Sequence, residues 1–315
     1  MKYDVRKVAV LFASAVILIM IGVLIGININ KNKAQPAFIS NFREKGSWYI
    51  QQNEISDMVV DNYWKFVKTS YIIVGDIPDC EIYKIANEVP RNDYNLEGFY
   101  IDNGDYMYYH DEKGARKSIV AIDISAFQEN IDFEQVKENG VDMVIIRVGY
   151  RGYGSGKIVD DDMFESHIEE ATNAKLRVGV YFYSQALNYD EGVEEAKYVL
   201  DKIKNYKLDG PVVIDTEMVF DDEARTKDLT NDKRTDSIVG FCETVKEKGY
   251  IPMIYSNRNW FAQSLDMTRL GEYKLWLAQY ASVPDFPYWY AGWQYTEEGY
   301  IYGIEGPVDI NVWFE

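Results

Sequence analysis

Apolar residues follow different rhythms in successive parts of this chain. Val8 to Ile27 (VAVLFASAVILIMIGVLIGI) is an unbroken, uncharged apolar run, long enough to cross a bilayer as a helix. Lys2, Arg6 and Lys7 precede it, and no small-x-small cleavage site follows. The pattern predicts an uncleaved signal anchor, with residues 1–7 inside and everything after the span outside. Residues 28–117 are mixed. Ile55, Met58, Val59, Tyr63, Phe66 and Val67 give 51–71 a helical spacing, and Glu97 to Arg116 reads as a hairpin around Asn103-Gly104, with Asp111–Gly114 as a second turn. This stretch is expected to be a spacer and small accessory region.

From Ser118 the rhythm becomes short apolar runs alternating with amphipathic stretches. Strands are predicted at 119–124, 141–148, 176–183, 212–217, 251–255 and 274–279. Helices are predicted after Asp132, which caps with Gln135 three residues on, and at 160–175, 190–206, 232–248 and 258–269. Beyond Trp289 no helical period survives, and short antiparallel strands are expected. Repeated β-then-α units predict a parallel sheet. The fold expected for 118–315 is an α/β, TIM-like irregular (β/α) barrel with a strand-only C-terminal part. In such barrels chemistry sits at the C-terminal ends of the strands.

Composition narrows the chemistry. The formal net charge is −18, which argues against nucleic acid and anionic lipid surfaces as partners. Two cysteines, Cys80 and Cys242, give no disulfide framework or metal knuckle. Only two histidines, His110 and His167, argue against a His-rich zinc site or a His-based hydrolase site, so no metal or cofactor is expected. Carboxylates remain. Asp123 ends the first barrel strand. Asp215 and Glu217 end another, two apart on an extended segment and therefore on one face, where mutual repulsion raises at least one pKa. Five of the seven tryptophans, Trp260, Trp276, Trp289, Trp293 and Trp313, fall late in the chain, and Tyr181, Tyr183, Tyr255 and Tyr280 lie near strand ends. Such rings suit the apolar faces of sugars, though most are equally suited to filling a barrel. Arg147 could pair with a carboxylate or touch a ligand.

The run Ile122-Asp123-Ile124-Ser125-Ala126-Phe127-Gln128 resembles the opening motif of glycoside hydrolase family 25, the N-acetylmuramidase-type lysozymes. Asn130–Phe133 with Val136-Lys137, Val144–Arg147 with Gly149-Tyr150, Gly179–Ser184 and Ile214–Glu217 match that family's later motifs in order. Gly249–Pro252 with Ile254–Asn257, Leu275–Tyr280, Trp293–Thr296 and Gly306–Asn311 complete the series. The resemblance covers about 118–315. It implies cleavage of the β-1,4 bond between N-acetylmuramic acid and N-acetylglucosamine in peptidoglycan. Glu217 would be the general acid, Asp215 the orienter of the substrate's 2-acetamido group, and Asp123 and Asp309 would ring the site. Gln279, Gln294, Trp276 and Trp293, inside matched motifs, join Tyr181, Tyr183, Tyr255 and Arg147 as expected substrate contacts. Phe182 stands where many relatives carry a polar ring, which predicts one lost sugar contact, and Met218 predicts a differently shaped loop after Glu217. The competing readings are a catalytically silent wall-binding module and a scaffold of a surface apparatus.

Overall fold

The computed structural model describes residues 69–75, 80–102 and 106–315. The expected anchor at 8–27, most of the expected helix at 51–71 and the Asn103-Gly104 turn lie outside them. Among the described residues no helix is long and apolar enough to cross a membrane. The chain divides into two compact units, Met1–Ile85 and Ala86–Glu315. In the first, β1 (Tyr71–Val74) pairs antiparallel with β2 (Glu81–Lys84), with Ile72, Val74, Cys80 and Ile82 buried.

The second unit opens with the hairpin β3 (Phe99–Asp102) and β4 (Tyr106–Tyr109), paired antiparallel with Phe99 opposite Tyr109. Its second turn closes through the Gly114 amide to the Asp111 carbonyl at 2.9 Å, with Gly114 at φ +76°, a conformation only glycine adopts cheaply. Then come β5 (Ser118–Ile124), α1 (Phe133–Glu138), β6 (Met143–Arg151), β7 (Ile158–Asp160), α2 (Phe164–Asn173), β8 (Arg177–Tyr183), α3 (Tyr189–Ile203), β9 (Val212–Asp215) and α4 (Asn231–Glu247). The remainder is β10 (Pro252–Asn257), α5 (Arg258–Gln263), α6 (Met267–Leu270), β11 (Lys274–Ala278), β12 (Gly292–Gly299) and β13 (Val308–Phe314). Asp132 caps α1 as expected, accepting from the Gln135 amide at 3.0 Å.

Strands run in the order β5-β13-β12-β11-β10-β9-β8-β6, and a β5–β6 pairing closes the ring into a barrel; β7 adds only to the outer end of β6. Every neighbouring pair from β5 through β6, β8, β9, β10 and β11 to β12 is parallel. The closing strand β13 is antiparallel to both its neighbours. The tail is thus not purely antiparallel, since β12 continues the parallel series. Two helix boundaries also differ from expectation. The 160–175 helix starts at Phe164, because 158–160 pairs with β6. The 258–269 helix breaks into α5 and α6, because Asp266 begins a new cap, accepting from the Thr268 amide at 3.1 Å.

Strand alternation sorts the residues inside the barrel. Ala121, Met143, Ile145, Val213, Met253, Trp276 and Trp313 fill its lower interior. The next inward positions up the same strands are Asp123, Arg147, Asp215 and Tyr255, so the polar ring rests on an apolar plug. Outside, α3 and α4 approach closely at Gly192, where a Cβ would lie 1.9 Å from the Ser237 carbonyl oxygen. No helix follows β12, and the β3–β4 hairpin covers that wall instead. Phe99 packs edge-on against Trp293 (5.2 Å) and Phe314 (6.1 Å), and Tyr109 against Phe314 (5.5 Å). Residues 86–117, grouped with the spacer by the sequence pattern, therefore belong to the same compact unit as the barrel.

Candidate active site

A cleft of about 670 Å³ opens at the C-terminal ends of the parallel strands. Asp123, Asp215, Glu217 and Asp309 all line it, so the four sequence-predicted acids meet although nearly the whole barrel separates the first from the last in sequence. Asp123 and Asp309 are direct partners across the β5–β13 ladder. Asp215 ends β9, and Glu217 lies just past it.

Asp123 is buried and heavily hydrogen-bonded. Gln294 Nε2 donates to both its oxygens (3.1 and 3.0 Å), and Asn311 Nδ2 to Oδ2 (2.8 Å). Both amides are held in turn. Tyr255 and Tyr280 hydroxyls donate to Gln294 Oε1 (2.8 and 3.0 Å), and Trp276 Nε1 to Asn311 Oδ1 (2.7 Å). Burial pushes the Asp123 pKa up while these donors oppose the rise. Asp309 is pushed up to about 9, by burial first and then by Asp123, with which it shares a hydrogen bond. The Asp123–Asp309 pair thus retains a shared proton at neutral pH.

The second pair is less well supplied. Asp215 Oδ1 is buried with no hydrogen-bond partner, and its pKa is raised well above the usual carboxylate range by burial first and then by Glu217. Glu217 is pushed up to about 7 by burial, with Asp123 and Glu297 adding to the rise. The two acids behave as one coupled system that retains a proton near neutrality. A cleft built this way can donate a proton from one carboxyl and accept a hydrogen bond at the other.

The expected substrate contacts divide. Tyr181, Tyr183, Tyr255, Trp276 and Arg147 line the cleft, though Trp276 is only 1% exposed. Gln294 sits one layer below, gripping Asp123. Trp293 and Gln279 do not reach the cleft. Trp293 neighbours Gln294 and so points outward to the hairpin, its Nε1 donating to the Gln279 carbonyl at 2.8 Å. The Gln279 side chain turns to Asp285, donating to Oδ1 at 2.6 Å and accepting from its amide at 3.2 Å. Phe182 also faces away, fully buried against Tyr198 outside the barrel, so it removes no sugar contact. Arg147 is paired with Asp161 (2.7 Å), whose side chain is fully buried, with the guanidinium near the rings of Phe127 and Tyr150. Glu297, Asp161 and Tyr150 line the cleft without having been singled out as contacts. The register of β12 shifts between Gln294 and Thr296 and again before Gly299, so alternation could not have assigned Glu297 to the inside. Among the described residues no group of histidine, cysteine and acidic side chains could hold a metal ion.

The model for glycosyl hydrolases family 25 matches residues 122–304, more than half of the chain, from within β5 to just short of the closing strand. The chain belongs to glycosyl hydrolase family 25. It is 29% identical to an autolytic lysozyme of Clostridium acetobutylicum over 195 residues, which are 62% of this chain and 55% of that protein. It is 28% identical over 204 residues to the uncharacterized protein YegX of Escherichia coli K12, covering 63% of this chain and 70% of YegX. The modular autolysin LytC of Streptococcus pneumoniae, solved with a synthetic peptidoglycan ligand, superposes with a TM-score of 0.57 at 27% identity over 78% of this chain and 58% of LytC. The chain thus spans little more than half the length of these two wall-lytic relatives.

Proposed function

We propose that the protein is a lysozyme-type peptidoglycan hydrolase that cleaves the β-1,4 bond between N-acetylmuramic acid and N-acetylglucosamine. Membership of family 25 supports the reaction class, and the autolytic lysozyme and the ligand-bound autolysin among its relatives support the substrate. The observation that carries the residue roles is a pair of raised acids with one open acceptor. Glu217 is pushed up to about 7 and Asp215 well above its usual range, so the pair retains a proton near neutrality, while Asp215 Oδ1 has an unused acceptor.

In this scheme the substrate's acetamido N–H donates to Asp215 and so favours its ionised form. The charge on Asp215 then keeps the proton on Glu217 until the reaction begins. Glu217 gives that proton to the glycosidic oxygen as the C1–O bond breaks. The acetamido carbonyl oxygen, oriented through the N–H that donates to Asp215, attacks C1 in place of an enzyme nucleophile; water, giving a proton to the now ionised Glu217, later opens the ring so formed and restores the acid. Asp123 and Asp309, which share one proton, supply negative potential beside the oxocarbenium-like carbon. Tyr181, Tyr183 and Tyr255 offer ring faces and hydroxyls to the sugars. The anchor expected at 8–27 would tether this activity to the outer face of a membrane.

The test is digestion of purified peptidoglycan by the full chain, wild type beside Glu217→Gln, with mass spectrometry of the products. Reducing-end N-acetylmuramic acid released only by the wild type is expected. Release by neither, with retention on the pelleted wall, would replace the hydrolase by a binding module.

A further inference from the structure

Glu217 stands outside the barrel ladder. β9 ends at Asp215, so the sheet itself fixes Asp215 but not the residue two further on. Asp215 and Glu217 face the same cleft only if Thr216 between them stays extended, as a strand residue would. Three hydrogen bonds from the neighbouring chain segment hold Thr216. Its amide donates to the Tyr255 carbonyl at 3.2 Å, continuing the β9–β10 ladder by one step. Its carbonyl accepts from the Ser256 hydroxyl at 2.6 Å. Its own hydroxyl, on the side away from the acids, accepts from the indole Nε1 of Trp260 at 3.2 Å.

Trp260 is itself fixed. Its amide donates to Asn257 Oδ1 at the cap of α5 (2.9 Å), and the Arg234 guanidinium from α4 lies 4.8 Å over its ring. Arg234 also donates to the Thr226 carbonyl (2.9 Å), and the Thr226 hydroxyl donates to Gln185 Oε1 (2.8 Å). The loop that leaves Glu217 is thereby tied to the same indole and to the end of β8.

We infer that Trp260 and Ser256 are positioning residues for the proton donor, acting through Thr216 to extend β9 by one residue and aim Glu217 into the cleft. This rests on the reading of Glu217 as the general acid. None of the three lines the cleft. Each replaces a sheet contact that the strand has run out of, at the one place where a small error in direction would carry the acid off the glycosidic oxygen.

The test uses the full chain and purified peptidoglycan, following release of reducing ends against pH. Trp260→Phe keeps an aromatic ring but loses the indole donor and part of the packing; Thr216→Val keeps the shape and loses only the hydroxyl. Each is expected to lower kcat on the order of tenfold with KM little changed. Since both remove the same bond, the double variant is expected to be no worse than either single one. A displaced Glu217 is better solvated, so the alkaline limb of kcat should move to lower pH. Thr216→Ser, which keeps the acceptor, should restore most of the rate and the limb. Additive losses, or a limb that stays in place while only thermal stability falls, would reduce Trp260 to a structural residue. An inactive wild type would instead overturn the glycosidase reading, and this inference with it.

Discussion

Replacing Glu217 by glutamine should stabilise the protein above neutral pH while abolishing its turnover. Glu217 is pushed from an ordinary 4.5 to about 7, mainly because it is buried beside other acids. Its folded-state pKa lies above its unfolded one, so between these values the folded chain binds the proton more tightly. The stability this supplies is complete below pH 4.5 and is lost as pH rises through 7. At about 1.4 kcal/mol per unit, ionising Glu217 in place costs roughly 3 kcal/mol at most by pH 8. Glutamine keeps the shape and cannot ionise. The variant should therefore match the wild type near pH 4.5 and exceed it by roughly 2–3 kcal/mol at pH 8, or several degrees in Tm for a domain of this size. Thermal unfolding of both proteins at a series of pH values, by circular dichroism, reads this directly. A pH-independent difference, or a variant less stable than wild type at pH 8, would refute the idea that Glu217 is held protonated at a cost to the fold.

kcat/KM should fall as pH rises through about 7, the value at which Glu217 of the free protein loses its proton, with the limb of kcat at higher pH because bound substrate ionises Asp215, while activity in EDTA should be full, since only carboxyl groups carry the scheme; rates against pH, with and without chelator, check both. Trp276→Phe removes the donor to Asn311 Oδ1 and leaves that oxygen buried and unpaired, which should cost about 1–3 kcal/mol in chemical denaturation and lower turnover through Asp123. Gly192→Ala drives a methyl into the Ser237 carbonyl where α3 meets α4, and a loss of about 3 kcal/mol is expected in the same assay, with residual activity per folded molecule unchanged.

Much of the barrel was legible because buried parallel strands are continuous apolar runs, and those at 141–148, 176–183 and 212–217 stand out without any tertiary information. The acids were legible for a related reason. Once a strand's end is known, alternation tells which of its last residues face inward, and Asp123 and Asp215 satisfy it. Parity also separates Gln294 from Trp293, but only after the start of β12 is known, and the irregular register beyond Gln294 hid Glu297 altogether. Gln279 was misplaced because it lies one residue beyond the β11 ladder, where alternation no longer applies, and its side chain took Asp285 instead. The hairpin's role was invisible for a different reason. Nothing local in 97–116 says that its aromatic face will serve as the missing outer layer of β12 and β13, because that need arises only when the barrel closes.

Closure by β13 also bears on when the site can exist. The strand that joins β12 to β5 comes last in the order of the barrel strands, and it brings Asp309 to Asp123 and Asn311 to the same carboxylate. Until it docks, β5 lacks one neighbour, Asp123 lacks two of its hydrogen-bond partners, and the cleft lacks a wall. Pairings that span nearly the whole domain form late, since the loop they close must first be gathered. A chain stopped before β13 is therefore expected to lack the completed acid cluster and the closed barrel. Completing the acid cluster and closing the barrel are thus one and the same event.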